Sequence, residues 1–180
     1  MEKQFIKTFD YYSPKLGELL VVSRHQDEVI SASILPKTDD FGLIAATEPE
    51  FLFLWDRNEN PDIMAKAFFA PYARYLDNQN AVHIHALATN PKLTQNGLAR
   101  DLVQFIAQNT DPKTFPIMTA TVCNMPEGLA ERTAFFENLG FAQSNSTTKM
   151  GESRPHFAPI EKLRVMKNDR FILNPELSLL

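Results

Sequence analysis

The sequence predicts a mixed α/β fold, a central β-sheet flanked by helices. Three observations carry that expectation: the apolar run Ala81–Ala88, the helical spacing of Leu98, Leu102, Phe105 and Ile106, and a second helix–strand unit from Leu129 onward. A short apolar run bounded by turn residues, here Asn90-Pro91, reads as a buried strand. Apolar residues three and four apart read as one helix face packed on a sheet. From the N-terminus, Glu18–Val22 and Glu28–Leu35 are β-branched runs split by the polar stretch Ser23–Asp27, which predicts a hairpin. Phe51–Trp55 is another apolar run. Asn60-Pro61 has the form of an N-cap followed by proline at the first helical position, and Met64, Phe68, Tyr72, Tyr75 and Leu76 continue at helical spacing. A helix is therefore expected there, kinked or split at Pro71. Pro116–Val122 reads as a strand, Leu129–Leu139 as a helix ending at Gly140, and Phe141–Met150 and Ile160–Lys167 as late strands.

The chain has 180 residues, 44% hydrophobic and 22% charged, which suits one domain over 1–180. The net charge of −4 comes with scattered Lys and Arg, so nucleic acid is not an expected partner. No apolar run approaches the ~20 residues of a membrane span, and Met1-Glu2-Lys3-Gln4 leads into no signal-type segment. No membrane association and a cytoplasmic location are the expectation. The lone Cys123 excludes an intrachain disulfide and reads as a small buried residue. The apolar C-terminal stretch Asn168–Leu180 suits packing on the domain or on a second copy in a homodimer.

The stretch between the Ala81–Ala88 strand and the next helix, Asn90-Pro91-Lys92-Leu93-Thr94-Gln95-Asn96-Gly97-Leu98-Ala99, has the chemistry of a phosphate cradle. Helix N-termini offer unpaired N–H groups and partial positive charge, and Gly97 and Ala99 keep the approach open. Taken alone, the same residues also suit a tight turn. Downstream, Ala134-Phe135-Phe136-Glu137-Asn138-Leu139-Gly140-Phe141 is a helix end with Gly140 as a left-handed C-cap.

The pair of motifs resembles the GNAT acetyltransferase superfamily, whose cofactor loop runs Arg/Gln-x-x-Gly-x-Gly/Ala after the fourth strand and whose later helix closes on Phe-Tyr-x-x-x-Gly-Phe. Within it, Val82-His83-Ile84-His85-Ala86-Leu87-Ala88 is similar to the His-x-His-Ala-Leu-Ala strand of the arylalkylamine (serotonin) N-acetyltransferase branch. The likeness covers roughly residues 63–142. It implies the GNAT-like acyl-CoA N-acyltransferase fold and acetyl-CoA as co-substrate. The implied cofactor-binding residues are Leu87, Ala88, Thr89, Thr94, Gln95, Asn96, Gly97, Leu98, Ala99, Arg100, Asn124 and Phe136. Thr94 stands where the family usually has Arg or Gln, with Lys92 and Arg100 near. Phe136 stands where the family usually has a proton-donating tyrosine, a role phenylalanine lacks.

An alkylammonium with a pKa of ~10.4 is only about 0.04% neutral at pH 7, so acetyl transfer to an amine needs a proton acceptor. His83 and His85 project from one face of the strand and titrate near neutrality. A His-x-His pair is equally compatible with satisfied core residues or a metal site, but no further ligand falls at metal-binding spacing nearby. The family resemblance favours catalysis by His83 and His85, relaying the proton through water, with His83, Tyr72 or Tyr75 as substitute proton donors. Phe51, Phe53, Trp55, Phe68, Phe69, Tyr72 and Tyr75 suit a flat amine, or plain core packing. Glu48, Glu50 and Asp56 suit an ammonium, or solvent. The expected activity is acetyl transfer to a small primary amine, aromatic amines included, by direct attack in a ternary complex. Acetylation of a protein N-terminus or lysine, and acyl-CoA binding with little catalysis, remain alternatives.

Overall fold

The structure is a computed structural model describing residues 5–39, 62–122 and 125–166. The Phe51–Trp55 run, Asn60-Pro61, Glu48, Glu50, Asp56, Cys123, Asn124 and the Asn168–Leu180 stretch lie outside those residues. Among the described residues, eight strands form one sheet in the order β1-β2-β3-β4-β5-β6-β8-β7. They are β1 (Phe5–Ser13), β2 (Gly17–Gln26), β3 (Val29–Pro36), β4 (Ala65–Leu76), β5 (Gln79–Thr89), β6 (Ile117–Ala120), β7 (Ala142–Gln143) and β8 (His156–Pro159). The helices are α1 (Leu98–Gln108), α2 (Leu129–Asn138) and a single-turn α3 (Ile160–Arg164), with a 3₁₀ turn at Pro91–Leu93. β5 and β6 pair in parallel and the other ladders are antiparallel, so α1 is the crossover between the two parallel strands. This is the mixed α/β sheet expected from the sequence.

The expected hairpin is β2–β3, longer than its apolar runs. Ser23 to Gln26 continue the strand to a turn at Asp27. β1 was not foreseen. Its Phe9 and Tyr11 are both buried, an alternation that marks a half-covered strand.

Two expected elements change type. Ala65–Leu76 is a strand, not a helix. β4 lies between β3 and β5, and each residue from Ala65 to Ala70 is buried. A strand covered on both faces loses its two-residue alternation, and its apolar residues then fall at helical spacing by accident. Pro71 is accommodated because the β3 ladder ends at Ile30↔Phe69, so the missing N–H lies past the last β3 pair. In the late segment the strand is His156–Pro159, and Ile160 begins α3 where a strand was expected. Phe141–Met150 contributes only Ala142–Gln143.

One face of the sheet packs on the helices. Val21, Ile34, Phe69, Val82, Ile84 and Met118 meet Leu98, Leu102, Phe105 and Ile106 of α1, Phe136 of α2 and Leu163 of α3 in one apolar cluster. All four residues that predicted α1 are buried in it. The opposite face holds a different population, with Arg24, Ser31, Ser33, Lys66, His83 and Thr119 all buried. No helix among the described residues is long and apolar enough to cross a membrane.

Gly140 ends α2 as expected. Its φ is +92°, and the bonds Gly140 N–H to Glu137 C=O (2.9 Å) and Phe141 N–H to Phe136 C=O (3.0 Å) close a Schellman motif. A Cβ at Gly140 would meet no atom within 4 Å, so the cost of adding one is in the backbone alone. Gly140→Ala should therefore lose about 1–2 kcal/mol in a urea titration. Gly140→Asn should lose less, since asparagine tolerates that conformation.

Candidate active site

The site starts from a mismatch in length between β5 and β6. β5 stays paired with β4 as far as Thr89↔Ala65, but its parallel ladder with β6 stops at Ile84↔Ala120. Among the described residues, His85 to Thr89 have no ladder partner on the β6 side, which leaves that edge open. A β-bulge falls at the same place: Phe68 pairs with Ala86 and Phe69 with Ile84, so His85 is the extra residue. His85 stands beside His83 on the face away from α1, as their two-residue spacing requires, ring centroids 4.8 Å apart and nearly perpendicular at 86°.

Tyr72 joins the pair from β4. Its hydroxyl lies 2.8 Å from His85 Nε2. Burial raises the Tyr72 pKa, with Glu28 adding to the shift, so the phenol keeps its proton, which it donates to the imidazole nitrogen when His85 carries its own on Nδ1. Burial lowers the pKa of half-buried His85, so it is neutral near pH 7 and able to accept. The expected residues Tyr72, His83 and His85 thus come together, although Tyr72 arrives on a strand.

His83 differs from His85. It is 3% exposed, and both ring nitrogens face threonine hydroxyls, one on β6 and one just past its end: Nδ1 lies 2.8 Å from Thr119 Oγ1 and Nε2 3.3 Å from Thr121 Oγ1. Burial, then repulsion from His85, pushes its pKa down to about 3. A neutral imidazole donates from one nitrogen and accepts at the other, and two hydroxyls satisfy both needs. Tyr75 completes the cluster, stacked on Tyr72 at 4.9 Å and 22° and set 5.1 Å from His83. Burial raises the Tyr75 pKa to about 12, which makes it a poor proton donor.

Thr119 and Thr121 were missed by sequence reasoning. Their signal was hydroxyls two apart at the end of a strand, on the side where a parallel neighbour carries His83. Of the expected aromatic wall, Phe69 belongs to the helix-side cluster and points away from the site, while Phe68 is on the opposite face with Lys66 Nζ 6.0 Å from its ring centre.

The loop after β5 is shaped by its own side chains. Asn90 Oδ1 accepts from Lys92 N–H (3.0 Å), Asn96 Nδ2 donates to Leu93 C=O (3.0 Å), and Thr94 Oγ1 donates to Pro91 C=O (3.5 Å). Gln95 (φ +66°) and Gly97 (φ +77°) are both left-handed, and Gly97 caps α1. The first turn of α1, Leu98-Ala99-Arg100, then presents backbone N–H groups that no helical carbonyl can reach. Leu98 is buried and anchors the turn, while Thr94, Gln95, Lys92 and Arg100 are exposed. Leu87, Ala88 and Thr89 lie on the open stretch of β5. The loop and the open edge together suit a long acyl carrier with a diphosphate. One group opposes an anion there: buried Asp101 in the same turn, to which Tyr11 OH donates. Phe136 lies in the helix-side core that also takes in Leu98, edge-on to Phe141 at 5.2 Å and to Phe135 at 5.1 Å. Among the described residues, no three His, Cys, Asp or Glu side chains gather as a metal site.

No protein-family model matches the chain, and no curated protein matches its sequence. Among solved structures, it is similar to a protein from Desulfovibrio desulfuricans assigned to the GNAT family of acetyltransferases, at 13% identity, covering 72% of this chain and 69% of the other, with a TM-score of 0.46. It is also similar to the ribosomal-protein-S18-alanine N-acetyltransferase of Escherichia coli, at 13% identity, covering 83% and 77%, with a TM-score of 0.44. Likenesses this distant say nothing of what the chain acts on. The arylalkylamine resemblance rests on the β5 residues alone.

Proposed function

We propose that the chain is an acetyl-CoA-dependent N-acetyltransferase that acts on a small primary amine by direct attack in a ternary complex. The observation that carries this reading is the Tyr72–His85 hydrogen bond, set where β5 parts from β6 and one turn of chain before the Gly97-capped helix. Acetyl-CoA supplies an activated acyl thioester. Leu87, Ala88 and Thr89 would hold its pantetheine arm by their open backbone edge, and the N–H groups of Gly97 to Arg100 its diphosphate. Asn124 and Phe136 complete the set that the family resemblance suggests.

The chain's own residues handle the proton. As the amine nitrogen forms its bond to the acyl carbon it must lose a proton, and the Tyr72 oxygen accepts it while passing its own to His85 Nε2. His83 does not take that proton, because its conjugate acid is too strong. In this reading the Tyr72–His85 unit also returns a proton to the departing thiolate, which explains how a site with Phe136 can turn over. Phe136→Tyr should accordingly leave kcat and its pH profile unchanged. It should lower stability by roughly 1 kcal/mol or more, because the added hydroxyl enters an apolar cluster. A large gain in kcat would instead assign the acid role to that position.

The reading is tested by incubating the purified protein with acetyl-CoA and tryptamine, phenylethylamine, spermidine or lysine peptides, and following free thiol. Amine-dependent release with the small amines supports it. Release only with peptides would point to a protein acceptor, and binding without release to a carrier module.

A further inference from the structure

We infer that Thr119 and Thr121 are positioning residues for the Tyr72–His85 pair, acting through His83. The inference rests on the proposed acetyl transfer, but its geometry stands by itself. Thr119 lies on β6 and Thr121 just past its end, and the parallel register His83↔Thr119 brings the imidazole between their two hydroxyls. A ring held at both nitrogens cannot flip without breaking two hydrogen bonds in a buried place. His83 in turn forms the wall of His85, perpendicular at 4.8 Å, and touches Tyr75, on which Tyr72 is stacked. His85 sits at a bulge, where the strand ladder alone does not fix its direction. The two hydroxyls therefore set the angle at which His85 Nε2 meets the Tyr72 phenol. β6 and the residue that follows it contribute this alignment where the two strands part.

The test compares Thr119→Val, Thr121→Val and Thr119→Ser with the wild type, using imidazole ¹⁵N spectra of the free protein together with steady-state kinetics. Each valine variant should shift the His83 nitrogens and also move the His85 nitrogens. kcat should fall about 10- to 100-fold, because small misplacements of a proton acceptor are costly, while KM for acetyl-CoA stays as in the wild type. Thr119→Ser should restore both spectrum and kcat. Unmoved His85 nitrogens with wild-type kcat in Thr119→Val would overturn the inference, as would a kcat loss that serine does not rescue. If Thr119→Val does not fold, Thr121→Val and Thr119→Ser decide it by the same two readouts. A wild-type protein without amine-dependent acetyl transfer would sink the proposed function, and the His85 spectra would still decide whether the threonines align the pair.

Discussion

Replacing Tyr72 with phenylalanine should lower kcat for amine-dependent thiol release about 10²- to 10⁴-fold, the usual contribution of a positioned acid–base group. The phenyl ring keeps the stack on Tyr75, so the loss reports the hydroxyl and not the fold. His85→Gln should cost a similar factor. Because the phenol and imidazole pass one proton between them across 2.8 Å, the double variant should be little worse than the weaker single one. KM for acetyl-CoA should not change in any of the three, since neither side chain belongs to the loop after β5. Two losses that multiply would mean that the residues act separately, and the relay would be wrong.

Acid should destabilise the fold through His83. Its pKa is about 3 in the folded chain against 6.5 for the ordinary group, so as pH falls through 6.5 the unfolded chain gains a proton that the folded chain refuses. The stability is complete above that value and is lost as pH falls. Between pH 7 and pH 5 this one group should remove about 2 kcal/mol of unfolding free energy, or roughly 4–8 °C of Tm for a chain of this size. Burial lowers the pKa of His25 and His85 as well, which adds in the same direction. His83→Asn, which can still bond a threonine, should be less stable at pH 7 but should show a smaller fall to pH 5. Equal falls in Tm for the two proteins would show that His83 is not the buried neutral group described here.

Which parts of this were legible in the sequence follows from the physics of each part. β5, the loop after it, α1 and the Gly140 cap were readable because their signals are local: a bounded apolar run, an N-terminal turn, a three-and-four spacing, and a glycine at a helix end. β4 was misread because burial on both faces removes the alternation by which a strand is recognised, and Met64, Phe68 and Tyr72 then fell at helical spacing. His83 and His85 could be placed on one face from their spacing. Their difference could not be foreseen, since it comes from Thr119 and Thr121, more than thirty residues away, whose hydroxyls enclose one ring and not the other. The bulge at His85 is equally a product of pairing and not of local sequence.

The most direct test of the whole account is a product analysis of one reaction containing the protein, acetyl-CoA and phenylethylamine or tryptamine. Direct attack predicts acetylated amine and free coenzyme A in equal amounts by mass spectrometry, with the protein itself unmodified at every time point. Free coenzyme A without acetylated amine, or an acetyl group carried on the protein before it reaches the amine, would contradict it.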